Sequence, residues 1–288
     1  MRRSCYFFIP LLFLLACQGP TEKFKDVTSD GVRIAYRIAG KGDTTLLFLH
    51  GWCINQHYWD NQVGFFEPRY TVVTMDLPGF GDSRGTRSAW TIEQYGKDVD
   101  QLIRDLDLKN VILIGHSMSG DIMLEAVHQD SSSVIGMIGI DNLKDVKDVI
   151  PEETKHNYAL VIDTLRKDYQ NIAEQICRQT LFHPSTDSAV VARVIDDVKH
   201  TDSLVAISSL QSLAEYSAME ATRLGQVPLK LYLLNSDATP TDENALKKCC
   251  RKGFDITPIH ATGHYPMLEK PEAFNKLLQQ IIFRIGKK

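Results

Sequence analysis

Ser117 stands where residue types and spacing could build a nucleophile. The text around it reads Val111-Ile-Leu-Ile-Gly115-His-Ser117-Met-Ser119-Gly120, and the helix-forming segment Asp121–Val127 follows at once. A strand, a tight turn and a helix in that order form a nucleophile elbow, which lifts the serine hydroxyl above the sheet edge. The turn also aims the helix N-terminus at the reacting centre, where negative charge develops during acyl transfer. Small residues must flank the serine because strand and helix approach closely. Gly115 lies two residues before it. Ser119 lies two after, where the usual G-x-S-x-G pattern has glycine, and serine is small enough for the same place.

The elements that must position this serine alternate. Val32–Ala39 alternates apolar and polar residues and is predicted to be a half-exposed edge strand. Thr45–Leu49, Tyr70–Met75 and Val134–Ile140 are short apolar runs, as expected of buried parallel strands. Gln56–Phe66 is predicted helical. A second helix opens at Thr91, with Gln94 three residues on as a capping box. Strands alternating with helices predict an α/β fold with a doubly wound, mostly parallel sheet. The alternation stops at Asp141. From Pro151 to Met219 the pattern is helical throughout, with amphipathic segments at Tyr158–Leu165, Ile172–Leu181, Val190–Val198 and Leu204–Tyr216. Strands resume at Val227–Leu234 and Phe254–Ile259, and a last helix is expected from Pro271 to Ile285. The helical block is therefore an insertion on the carboxyl side of the sheet, where ligands bind.

The first residues belong to export rather than to the fold. Arg2 and Arg3 precede an apolar run from Tyr6 to Ala16, too short for a comfortable membrane span. Leu14-Leu-Ala-Cys17 resembles a bacterial lipobox, in which the cysteine is lipidated. The expected organisation is a signal peptide over 1–16, then lipidated Cys17 and a polar tether over 17–25. A core over 26–141 and 227–288 and a helical cap over 142–226 complete it. The expected location is the cell envelope, anchored to a membrane by acyl chains on Cys17. Hydrophobic residues make up 43% of the chain and charged residues 24%, ordinary for a globular protein. The formal charge of −4 carries no basic stripe or arginine-rich arm, so nucleic acid is not an expected partner. Outside the export segment stand Cys53, Cys177, Cys249 and Cys250. Pairing of Cys177 with one of the adjacent cysteines and free thiols throughout are both open. Cys and His are too scattered for a metal site, and no cofactor is expected.

Four separated signatures together resemble the α/β-hydrolase fold, in the branch with a helical cap after the sixth strand. They are His50-Gly51-Trp52, Asp76-Leu-Pro-Gly79-Phe-Gly81-Asp-Ser83, Gly115-His-Ser117-Met118, and Gly263-His264-Tyr-Pro-Met-Leu-Glu-Lys-Pro271. The resemblance covers nearly the whole mature chain. It implies a Ser-His-Asp triad, with Ser117 attacking and His264, in its Gly-His-x-Pro setting, taking the proton. The family order of serine, acid, histidine offers two acids. Asp237, in Asn235-Ser-Asp237-Ala-Thr-Pro240, is preferred, although its loop is short and lacks the common glycine. Asp141, in Ile140-Asp141-Asn142, is the alternative. Asp237→Asn is accordingly expected to cost more turnover than Asp141→Asn.

The oxyanion hole is expected from the backbone N–H groups of Trp52 and Met118. His50 is expected to brace the oxyanion loop, and His116 to point away from the reacting face and pack. Asp76–Ser83 is read as loop geometry. Trp52, Tyr58, Trp59, Tyr158, Phe182 and Tyr216 are the expected substrate-binding residues, and Cys53 is read as pocket wall.

The resemblance implies a serine hydrolase for a small or medium carboxylic ester or a related acyl bond, working through an acyl-enzyme. A cofactor-free haloperoxidase, a perhydrolase or a carbon–carbon hydrolase would use the same residues. The rival from another class is a non-catalytic lipoprotein that holds a ligand in the same pocket. Turnover of an ester that vanishes in Ser117→Ala separates the two classes.

Overall fold

The computed structural model describes residues 21–26 and 31–286. Eight strands form one sheet, β1 Thr21–Asp26, β2 Arg33–Ala39, β3 Thr45–Leu49, β4 Thr71–Met75, β5 Val111–His116, β6 Val134–Ile140, β7 Leu231–Ser236 and β8 Phe254–Ile259. Their order is β1-β2-β4-β3-β5-β6-β7-β8. β1 pairs antiparallel with β2 and β2 with β4, and every later pairing is parallel. This is the expected α/β class with a mostly parallel sheet.

Parallel strands need crossovers, and helices supply them. A short 3-10 turn at Gln56–Trp59 leads into α1 Asp60–Phe66. Then come α2 Ile92–Asp105 and α3 Ser119–Gln129. The chain between β6 and β7 folds as α4 Glu152–Lys167, α5 Tyr169–Thr180, α6 Ser188–His200, α7 Ser203–Tyr216 and α8 Glu220–Gln226. α9 Glu243–Cys249, α10 Pro266–Glu269 and α11 Pro271–Ile285 complete it. α2 packs on α3, and α1 on α11. Every residue of β3 and β5 is buried, so both sheet faces are covered. Each fully buried Leu or Ile there contributes about 1.5–3 kcal/mol of transfer free energy.

Three local expectations change. β2 is not an edge, because β1 lies outside it, and most of β2 is buried rather than alternating. The tether reading of 17–25 is interrupted by that same strand. Its polar text, Thr-Glu-Lys-Phe-Lys-Asp, gives no hydrophobic signal and is held by its pairing with β2. Gln94 takes only half of a capping box. Its N–H donates to Thr91 Oγ1 at 3.2 Å, while its side chain turns to Asp98. The export segment and Cys17 lie outside the described residues.

Candidate active site

Ser117 occupies the turn between β5 and α3 with φ +55°, a region that costs a non-glycine residue about 1–3 kcal/mol. Four hydrogen bonds hold it there. Its N–H donates to Ile140 O at 3.0 Å and its carbonyl accepts from Gly120 N at 2.8 Å. Asn142 Nδ2 donates to Gly115 O at 2.8 Å and to Ser117 O at 3.2 Å. Gly115 is required, since a Cβ there would meet Ser119 O at 2.5 Å. Ser119 is more than a tolerated departure from glycine. Its hydroxyl donates to His50 O at 2.5 Å and ties the start of α3 to the loop after β3.

That loop is braced from two sides. His50 Nδ1 donates to Gly51 O at 2.7 Å, and its Nε2 accepts from Leu77 N at 2.9 Å, which fixes the tautomer. Burial lowers the His50 pKa to about 4, against a smaller upward pull from the Gly51 carbonyl, so the ring stays neutral. Gly51 lies so close to His116 that a Cβ would meet its Nδ1 at 2.6 Å. The backbone N–H groups of Trp52 and Met118 find no acceptor among the described residues. Asp76 organises the next loop. Its carboxylate accepts from Gln56 N at 2.7 Å and Asp82 N at 2.9 Å, and a side chain at Gly81 would collide with it.

His264 follows β8. Its N–H donates to Leu181 O at 2.8 Å, which joins the loop to the chain just past α5. Its Nδ1 donates to Asp141 Oδ2 at 2.6 Å. The other Asp141 oxygen accepts from Ser236 N at 2.8 Å and Lys144 Nζ at 2.7 Å. Burial alone would raise the Asp141 pKa. The bonds and charges of His264 and Lys144 outweigh it and hold the group at about 2. Asp141, like Ser117, has positive φ (+50°), which turns it back over the end of β6.

The preference for Asp237 is corrected here. Asp237 is exposed, and its Oδ2 accepts from His260 Nδ1 at 2.7 Å, so the structure does not bring it to His264. The reason is topological. The loop after β8 runs on past His260 and crosses the end of β7, which brings His264 over β6 instead. His116 is also corrected. It does not point away, because it lines the same cavity as Ser117, with its ring 4.7 Å from that of His264. Its Nε2 donates to His264 O at 2.7 Å, and burial, with the neighbouring His264 adding to it, lowers its pKa to about 3.

Ser117, His264 and Asp141 line one cavity of about 610 Å³, a size that suits a small or medium organic ligand. Of the expected binding residues, Trp52 and Tyr158 line it. The other four do not. Tyr58 is fully buried and donates to Asp197 at 2.7 Å under the Arg193 guanidinium. Trp59 packs beneath the floor on Phe48 and Phe274. Phe182 stacks on Tyr265. Tyr216 donates to Glu125 at 2.8 Å. Cys53 is not a wall of this cavity either. It sits behind the loop after β3, 3.4 Å from the Tyr169 hydroxyl. Cys177, Cys249 and Cys250 are all unpaired. Among the described residues no cluster of three or more His, Cys, Asp or Glu could hold a metal ion. Lys144, Asn142, Asp121, Glu220 and Tyr265 border the cavity without having carried a signal in the sequence.

The family described as alpha/beta hydrolase fold matches residues 44–180. An esterase from Exiguobacterium antarcticum superposes with a TM-score of 0.78 at 18% identity, covering 91% of this chain and 99% of that one. This chain has the α/β-hydrolase fold. An uncharacterized protein of Mycobacterium tuberculosis is 23% identical over 283 residues, covering 91% of this chain and 81% of that protein. A non-heme chloroperoxidase of Streptomyces lividans is 38% identical over a shorter stretch of 95 residues, 32% of this chain and 34% of that enzyme.

Proposed function

We propose that the protein is a serine hydrolase that cleaves a small or medium carboxylic ester, or a related acyl bond. The observation that carries this reading is the Asp141–His264 bond beside a strained Ser117 in one cavity. With Nδ1–H donated to Asp141, the imidazole offers its Nε2 lone pair to the serine hydroxyl. Ser117 attacks the acyl carbon as His264 takes its proton. The Trp52 and Met118 N–H groups receive the developing oxyanion. His264 returns the proton to the leaving group, and water then releases the acid from the acyl-enzyme by the reverse relay. Asp141 stays ionised throughout, supported by Lys144 and the Ser236 N–H.

The test is hydrolysis of p-nitrophenyl esters of graded chain length by the domain from Gly19 onward, beside Ser117→Ala. Activity that disappears with the serine supports the reading. Equal activity in Ser117→Ala, or none with any ester and no fluorophosphonate label on Ser117, refutes it in favour of a ligand-binding protein. Similarity to a chloroperoxidase over 95 residues favours one further activity. Hydrogen peroxide in place of water would turn the same acyl-enzyme into a peracid.

We propose further that Cys17 is lipidated and anchors this domain to the cell envelope, on the lipobox text Leu14-Leu-Ala-Cys17. Among the described residues no helix is long and apolar enough to cross a membrane. Incorporation of labelled palmitate that is lost in Cys17→Ala supports the anchor, and a soluble, unlabelled wild type refutes it.

A further inference from the structure

The cavity changes character from one side to the other. Its α4–α5 side is walled by Leu165, Ala173, Ile176 and Leu181, whereas its α3–α8 side carries Asp121 and Glu220. Asp121 lies in the first turn of α3, four residues after Ser117, and Glu220 opens α8. The two carboxyls lie close enough to interact. Asp121 is only 5% exposed, and its Oδ1 has no partner among the described residues. The nearby cations are committed elsewhere, Lys144 to Asp141, Lys147 to Asp145 and Arg223 to Glu125.

Two carboxyls sharing one site keep a proton between them. Burial, together with the charge of Glu220, pushes Asp121 well above the usual carboxylate range, and burial pushes Glu220 up to about 7. The groups facing the pair do not relieve this. Tyr216 from α7, Asp145 from the segment after β6 and Cys249 from α9 add no positive charge. Leaving polar groups incompletely satisfied in a cavity wall costs more than an apolar wall would. A cation entering the cavity beside the pair lets both carboxyls ionise and expels the shared proton.

The geometry points to Asp121 and Glu220 as a recognition site for an ammonium group on the substrate, close to the scissile acyl carbon. Four residues of helix rise span about 6 Å, so the ammonium lies only a few bonds from that carbon. The substrate class is a short amino-acyl ester. This rests on the proposed hydrolase reading for which bond is cut, but not for the binding of the cation.

p-Nitrophenyl 3-aminopropanoate and p-nitrophenyl butanoate differ only in an ammonium for a terminal methyl. The ratio of their kcat/KM values at pH 7 is expected to favour the ammonium ester by about tenfold or more, and to fall at least about tenfold in Asp121→Asn and Glu220→Gln. A wild-type ratio near one, or a ratio untouched in both variants, overturns the assignment. A second readout does not need turnover. Titration of methyl 3-aminopropanoate into Ser117→Ala, in two buffers of different ionisation heat, is expected to show saturable binding with proton release. In Glu220→Gln that release is expected to disappear. No saturable heat at millimolar ligand, or binding without proton release, contradicts the proposal. Failure of Ser117 to react with a fluorophosphonate would sink the hydrolase reading, and the titration would still decide the carboxyl pair.

Discussion

Two aspartate–histidine pairs sit at the carboxyl end of the sheet, and bond length does not tell them apart. Asp141 meets His264 at 2.6 Å and Asp237 meets His260 at 2.7 Å. Their surroundings differ. The Asp141 and His264 side chains are 6% and 19% exposed, and those of Asp237 and His260 are 47% and 73% exposed. An exposed pair is screened by water and contributes about 0–1 kcal/mol. The buried pair has further partners in Ser236 and Lys144 and shares a cavity with a strained serine. Burial and third partners, rather than proximity, separate a pair that can orient a base from one that decorates a loop.

The comparison can be broken most sharply at Asp141. Asp141→Asn is expected to lower kcat for p-nitrophenyl butanoate by about 10³–10⁴, because an amide no longer enforces the tautomer or stabilises the imidazolium. A loss below tenfold would remove Asp141 from the acid role. Lys144→Met probes the third partner. It withdraws the charge that helps to hold Asp141 ionised, and a fall of about three- to tenfold in kcat is expected, with KM little changed. An unchanged kcat would make Lys144 a bystander.

Glu220 supplies the counter-case of a half-buried carboxyl with no cation of its own. Its folded pKa, about 7, lies above the ordinary glutamate value of 4.5. The cost of ionising it is therefore absent below about pH 4.5 and grows as the pH rises toward 7. Glu220→Gln is expected to be more stable than the parent by about 1–3 kcal/mol above pH 7 and equal to it near pH 4. Denaturant melts at the two pH values check this, and a variant less stable at pH 8 would contradict it. The smallest effect belongs to the exposed pair. Asp237→Asn is expected to change kcat/KM by less than about twofold, since a surface ion pair is worth little.

Much of this was readable from residue order. The parallel strands announce themselves because each buried strand is a short apolar run, and the elbow does so because close strand–helix packing demands small residues. β1 was hidden because a polar strand held by pairing leaves no pattern. The acid was ambiguous because both aspartates follow strands. The choice depends on how far the loop after β8 reaches, which neither strand encodes. The cavity wall was misjudged for a different reason. Tyr58, Trp59 and Tyr216 are large aromatics near the right loops, yet composition does not distinguish core packing from a ligand-facing surface. Asp121 and Glu220 lie about a hundred residues apart and meet only because α8 packs on α3.

The most direct test of the central claim is the rate at which a fluorophosphonate labels Ser117, read by intact mass in the parent, Asp141→Asn and Asp237→Asn. The expected result is a single adduct on Ser117, formed at the parent rate in Asp237→Asn and at least about a hundredfold more slowly in Asp141→Asn. Slow labelling in Asp237→Asn with a parent-like rate in Asp141→Asn, or an adduct elsewhere than Ser117, would contradict the account.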